Sequence, residues 1–156
     1  SLNQMARTSK VDCMVLGHNL DDFSQTILMN HSRGDVSRMN RMAPHKYVQK
    51  GFVPRLLPLR RLPEQEVYLY AILKGMEFHD GDCPYAGKAQ RNFFRKMVME
   101  LENKQPGTRH SLVNGMEKIR KDIPPPIELT RCPSCGEPSG GNGPCVFCRE
   151  FGSFSV

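Results

Sequence analysis

The sequence predicts an α/β fold with a small cysteine-rich module at its carboxyl end, and three observations lead there. Residues 11–16 (VDCMVL) form a short apolar run that stops at Gly17 ahead of helix-start chemistry, the pattern of a buried parallel strand feeding a helix. A second strand-like run at 55–59 precedes a proline-led helical segment. Four of the six cysteines fall in two CxxC pairs near the carboxyl terminus.

The elements follow in order. After Gly17, Asn19 can cap a helix, Asp21 and Asp22 suit its positive first turn, Phe23, Ile27 and His31 share a face, and Gly34 supplies a stop. Residues 35–53 carry Pro44, Gly51 and scattered methionines without periodicity and read as a loop. Pro63 at a first helical position, Glu64 and Glu66 beside it, and Val67, Tyr70 and Ala71 at helical spacing mark a second helix ending at Gly75. Phe78 and His79 read as a brief strand. A third helix starts at Pro84 with Ala86, Ala89, Phe93, Met97 and Leu101 on its apolar stripe and Lys88, Arg91 and Arg95 on another face, bordering Cys83. A further helix spans about 108–121. Pro124, Pro125 and Pro126 then impose an extended connector. The domain reading is therefore 1–121 for the α/β and helical part, 122–130 for the linker and 131–151 for the module.

Cys132, Cys135, Cys145 and Cys148 place four thiolates where two knuckle turns can face each other around a tetrahedral Zn²⁺. Gly136, Gly140, Gly141 and Gly143 permit the turns, and with four protein ligands no coordination position is left for catalysis. No apolar run approaches the roughly twenty residues that cross a bilayer, and the amino terminus lacks a basic-then-apolar secretion signal, so a cytoplasmic protein without membrane association is expected. Thiols there stay reduced, which also favours metal over disulfides. The net charge of +6 favours a polyanionic partner such as nucleic acid, although the basic residues form no long run.

Two further constellations carry chemistry. Gly17-His18-Asn19-Leu20-Asp21-Asp22 joins a strand end to a helix amino terminus, where α/β sheets bind nucleotides; read locally, Asn19 is a cap and the aspartates are charges matched to the helix dipole. Cys83 sits just before a proline-marked helix start near Lys88 and Arg91. It suits a reactive thiolate or cluster ligand as well as a small buried hydrophobe. Cys13, inside the apolar strand, reads as a small hydrophobe.

Gly17-His18-Asn19-Leu20-Asp21-Asp22 with Gln25-Thr26, then Arg33-Gly34-Asp35, Glu64-Gln65-Glu66-Val67-Tyr68-Leu69-Tyr70-Ala71, Asp82-Cys83-Pro84-Tyr85-Ala86, Pro106-Gly107-Thr108-Arg109-His110-Ser111 and the terminal CxxC pairs form an ordered set. In order and spacing this set resembles the tRNA 2-thiouridine synthetases of the PP-loop family, in their archaeal and eukaryotic wobble-uridine branch. The resemblance covers about residues 11–148. It implies a partial PP-loop parallel sheet with helices, followed by a zinc ribbon. It also implies ATP-dependent 2-thiolation of a tRNA uridine at position 34, by adenylation of the C2 oxygen and then sulfur transfer.

By the same resemblance Gly17 and His18 lie at the nucleotide, with Asp21 and Asp22 near its phosphates or Mg²⁺. Cys83 is the catalytic cysteine and one of three ligands of a [4Fe-4S] cluster, whose other two lie upstream of this chain in the family. Lys88, Arg91 and Arg95 and the ribbon grip tRNA, and a ubiquitin-like sulfur carrier and a homodimer or partner subunit are expected partners. The family's SGGxDS phosphate loop has no counterpart here, since Ser139-Gly140-Gly141 lies between zinc-ligand pairs without a preceding strand or following helix. The chain thus corresponds to the carboxyl-terminal half of such an enzyme, and is expected to be catalytically incomplete alone. The alternative from another class is a non-catalytic tRNA-binding or partner-docking module.

Overall fold

The computed structural model describes residues 1–42, 48–79, 81, 90–124 and 128–152. They fall into two compact units that do not follow chain order: Ser1–Val15, Ala43–Leu56 and Pro125–Val156 form one, Leu16–Met42 and Leu57–Pro124 the other. The cysteine module, expected at 131–151, therefore shares its unit with the amino terminus.

In the first unit, helix α1 (Leu2–Thr8) starts in a capping box between Ser1 and Gln4 and buries Ala6. Its short apolar content gave no periodic signal, and the helix was not expected. Strand β1 (Met14–Val15) pairs in parallel with β2 (Arg55–Leu56), Met14 opposite Arg55 and Val15 opposite Leu56. Both strands fall inside the expected runs and are parallel, but the expected burial does not hold: Val15 is 65% and Leu56 53% exposed, and Cys13 lies just ahead of β1 and is half-buried. Asn3 stitches α1 to the segment before β2: its side chain donates to the Gly51 carbonyl at 2.9 Å and accepts from the Val53 N–H at 3.0 Å. Strands β3 (Thr130–Arg131) and β4 (Pro138–Ser139) are antiparallel, and helix α7 spans Val146–Phe151. Glu137 anchors this hairpin, forming an ion pair with Arg7 and accepting from Ser1 Oγ at 3.0 Å and Asn3 Nδ2 at 3.2 Å. Gly51 is required where the two parts meet, because its φ is +93° and a Cβ there would lie 3.1 Å from Pro138 Cγ.

The second unit is built on helix α2 (Leu20–Ser32), with α3 (Val36–Asn40), α5 (Gln90–Lys104) and α6 (Thr108–Ile119) packed around it; α4 (Glu64–Leu73) lies in the same unit. Its core is Leu20, Ile27, Met39, Val113 and Met116, with Phe23, Met42 and Ile123 against it. Asn19 caps α2 as its sequence predicts, in a reciprocal capping box with Asp22. α3 lies in the stretch read as a loop; five residues are too few for a periodic pattern, and its one local signal is Asp35, which caps it by accepting from the Arg38 N–H at 2.9 Å.

α5 also departs from expectation. The buried side chains are Phe94 and Val98, whereas Phe93, Met97 and Leu101 are exposed. Both rows recur every four residues, so spacing alone does not decide which one is buried. The segment before Gln90, including Pro84, Ala86 and Ala89, lies outside the described residues. α4 ends as expected, with Lys74 at its C-cap and Gly75 at φ +61°, but it buries none of its residues. Phe78 and His79 are not a strand; Phe78 instead packs edge-on to Tyr68 with ring centroids 5.2 Å apart. Among the described residues no helix is long and apolar enough to cross a membrane.

Leu20 is fully buried at the start of α2, so Leu20→Ala should destabilise the chain by about 2–5 kcal/mol. Urea denaturation measures this, and a midpoint equal to wild type would show that the α2 core does not limit stability.

Candidate nucleotide site and metal centre

The strand-to-helix turn exposes Gly17 and His18, while the residues behind them are tightly held. Leu20 donates its N–H to the Leu62 carbonyl at 2.9 Å, which fixes the first turn of α2 against the segment before α4. The two aspartates then diverge. Asp21 has a side chain only 10% exposed; one oxygen accepts the Glu64 N–H at 2.7 Å and the other pairs with Arg109 at 2.7 Å. It thereby caps α4, whose own N-cap, Pro63, has no side-chain donor or acceptor to offer.

Asp22 is more open, at 31%. It accepts from the Asn19 N–H at 3.1 Å and from Arg91 at 2.9 Å, and the second Arg91 nitrogen reaches Thr26 Oγ1 at 2.9 Å. The fork thus spans one helical turn of α2.

Arg109 and Glu102 were not singled out by sequence as site residues, although Arg109 lies in the quoted Pro106–Ser111 segment. Glu102 accepts the N–H groups of Gly107 at 2.9 Å and Arg109 at 2.8 Å, capping α6 from α5 across a left-handed Gly107. Burial alone would raise the Glu102 carboxyl, but the two backbone donors and the Arg109 guanidinium outweigh it and hold the carboxyl below its ordinary value. For Arg109, burial lowers and the pairing with Asp21 and Glu102 raises; the net effect is upward, so the guanidinium stays charged.

Of the basic stripe expected on the third helix, Arg91 is committed to Asp22 and Thr26, and Arg95 pairs with Glu64 at 2.8 Å. Lys88 and Cys83 lie outside the described residues.

The four module cysteines converge as their spacing predicts. Their Sγ atoms all lie within 4.8 Å of one another, and Cys135 and Cys145 are 3.8 Å apart. Zinc–thiolate bonds in tetrahedral geometry put sulfurs about 3.8 Å apart, so the set fits a single metal ion. In the first knuckle the Gly136 N–H reaches the Cys132 carbonyl at 2.9 Å, with Gly136 at φ +71°. Cys145 opens α7 and its N–H points to Cys132 Sγ at 3.2 Å. That donor, with further N–H groups of the knuckle, brings the Cys132 thiol down to about 6, whereas burial and the neighbouring thiols push Cys148 up to about 12. Four thiolates cannot ionise together here unless a cation neutralises them. Ser139, the serine of the Ser-Gly-Gly sequence, is a β4 residue opposite Thr130 and forms no phosphate loop.

Two measurements test these readings. Because the folded Glu102 carboxyl titrates below its unfolded value of 4.5, its stabilisation is complete above that pH and is lost as pH falls through the folded value. Wild type should therefore exceed Glu102→Gln in denaturant midpoint at neutral pH, with the gap closing below about pH 4.5; a gap independent of pH would refute the pairing. Purified chain should carry one zinc per four-cysteine set, and chelation should lower its unfolding temperature. Metal-free protein that melts identically with and without chelator would exclude a structural metal.

Comparison with known proteins places this arrangement. Residues 1–102 match the model of the PP-loop domain. The chain is 35% identical to the tRNA 2-thiolation protein NcsA of Haloferax volcanii, over 99% of this chain and 52% of that one. It is 33% identical to the tRNA-5-methyluridine(54) 2-sulfurtransferase of Pyrococcus horikoshii, over 97% of this chain and 49% of that one. The solved structure of the U34-tRNA thiolase NcsA from Methanococcus maripaludis with its [4Fe-4S] cluster superposes with a TM-score of 0.81 at 30% identity, covering 99% of this chain and 50% of that one. The chain thus spans about half the length of the curated relatives it matches. With a family match that takes in the strand–turn–helix holding Gly17, His18 and Asp22, the chain belongs to the PP-loop domain family.

Proposed function

We propose that this chain takes part in ATP-dependent 2-thiolation of a tRNA uridine, at wobble position 34. One observation carries the reading: essentially the whole chain superposes on a U34-tRNA thiolase at 30% identity. In the proposed reaction the uridine C2 oxygen attacks the α-phosphate of ATP and pyrophosphate leaves. A sulfur nucleophile then adds at C2, and AMP leaves with the oxygen.

The exposed Gly17 and His18 are the groups of this chain we place at the nucleotide. Asp22, partly open and already balanced by Arg91, faces the Mg²⁺-bound phosphates in this reading, while Asp21 acts as a positioning residue through the α4 amino terminus and Arg109. Cys83 supplies one of the cysteines that would hold a [4Fe-4S] cluster, whose chemistry when bound is to present sulfur to the activated uridine. The terminal cysteines hold zinc in a structural role, since four protein thiolates leave no open coordination position. A sulfur-carrier protein is the donor partner we propose, and the adenylation step in this reading uses an SGGxDS loop of the kind found in the family.

The test combines the chain with a polypeptide bearing that loop and its CxxC, ATP, a sulfur donor and unmodified tRNA, and detects 2-thiouridine by mass spectrometry. Sulfur incorporation should require this chain and ATP, and be abolished by Cys83→Ala. Incorporation that survives Cys83→Ala would overturn the assigned role, and tRNA binding without turnover in that mixture would favour a non-catalytic docking module.

A further inference from the structure

The arginines of the second unit are distributed unevenly between two regions. Around the amino termini of α2, α4 and α6, Arg91, Arg95 and Arg109 are matched by Asp22, Glu64, Asp21 and Glu102, so each of these described guanidiniums has a carboxylate. At the carboxyl end of α6 the balance is different. Arg60 and Arg61, from the turn between β2 and α4, both pair with Glu117, one on each carboxylate oxygen, the Arg61 contact being 2.8 Å. Arg61 also donates to Asn114 Oδ1 at 2.8 Å.

Arg120 lies one turn further along. Burial holds its guanidinium below the ordinary value, Glu117 draws it up and Arg60 pushes it down again, as expected of cations sharing one acid. Lys118 and Lys121 are exposed beside them. Over residues 57–62 and 114–119 there are three cations, Arg60, Arg61 and Lys118, against one carboxylate, Glu117.

The helix dipole accounts for cations in the last turn of α6, but not for two arginines brought there from another element. Excess like charge gathered from two elements costs self-repulsion, which a polyanion relieves. Forked guanidiniums and an exposed lysine together suit phosphate oxygens.

We infer that the Arg60–Arg61 turn and the carboxyl end of α6 form the surface that binds the phosphate backbone of tRNA, in place of the Arg91–Arg95 stripe. The inference rests on the proposed tRNA substrate and names the surface that holds it. The contact is backbone-directed and sequence-independent, so it positions the RNA and leaves uridine selection to other groups.

The test is fluorescence anisotropy of labelled unmodified tRNA with the full chain across a potassium chloride series. Arg61→Gln and Lys118→Glu should each weaken binding by about threefold or more at moderate salt, and each charge lost should lower the log–log salt slope by about one. The lysine variant keeps the test decisive if loss of the Arg61–Glu117 pair impairs folding, because Lys118 is solvent-exposed. Arg91→Gln/Arg95→Gln should leave the salt slope unchanged. Unaltered affinity in the first two variants, or an equal loss in the third, overturns the inference while leaving the tRNA substrate standing. Failure of wild type to bind tRNA at low salt overturns both. Variants that lose binding to polyglutamate but not to tRNA would assign the surface to an acidic protein and refute the RNA backbone.

Discussion

Asp21 is the residue on which the described site depends. Its two oxygens serve two different helices: one caps α4 and the other holds Arg109 at the start of α6. Arg109 in turn is fixed by Glu102, which caps α6 from α5. The outcome is that α4 and α6 each begin without a local side-chain cap and are completed by a carboxylate from a neighbouring helix. Orphan amide groups at a helix start require partners, and here those partners are long-range. Removing the carboxylate would leave a guanidinium only 17% exposed without its main counter-charge, which is why the arrangement acts as a unit.

This platform separates two adjacent aspartates that look equivalent in sequence. One turns inward and assembles the helices, while its neighbour remains partly open, tethered by the Asn19 N–H and the Arg91 fork. Gly17 and His18 project from the same turn toward solvent.

The four-cysteine module follows a different principle. Among its described residues only Cys132 and Cys148 are buried, so the clustered thiols take the place that an apolar core has in a longer segment. Glu137, just after the first knuckle, ties that segment to Ser1, Asn3 and Arg7. The position of α1 and the folding of the knuckle are therefore linked through one carboxylate.

Sequence by itself determined the positions of the two parallel strands, the capped start of α2, the glycine end of α4 and the convergence of four cysteines, because each rests on chemistry within a short stretch of chain. Gly17, His18, Asp21 and Asp22 were legible as a group for the same reason. What only the tertiary structure decided were choices among equivalent local patterns: Phe94 rather than Phe93 buried, Asp21 rather than Asp22 turned inward, and the docking of the module on α1. The pairing of Arg91 and Arg95 with acids on other helices belongs there too, since a charge on a helix face reads alike whether its partner is water, nucleic acid or a carboxylate far away in the chain. Local spacing fixes which residues share a face; only packing fixes what that face meets.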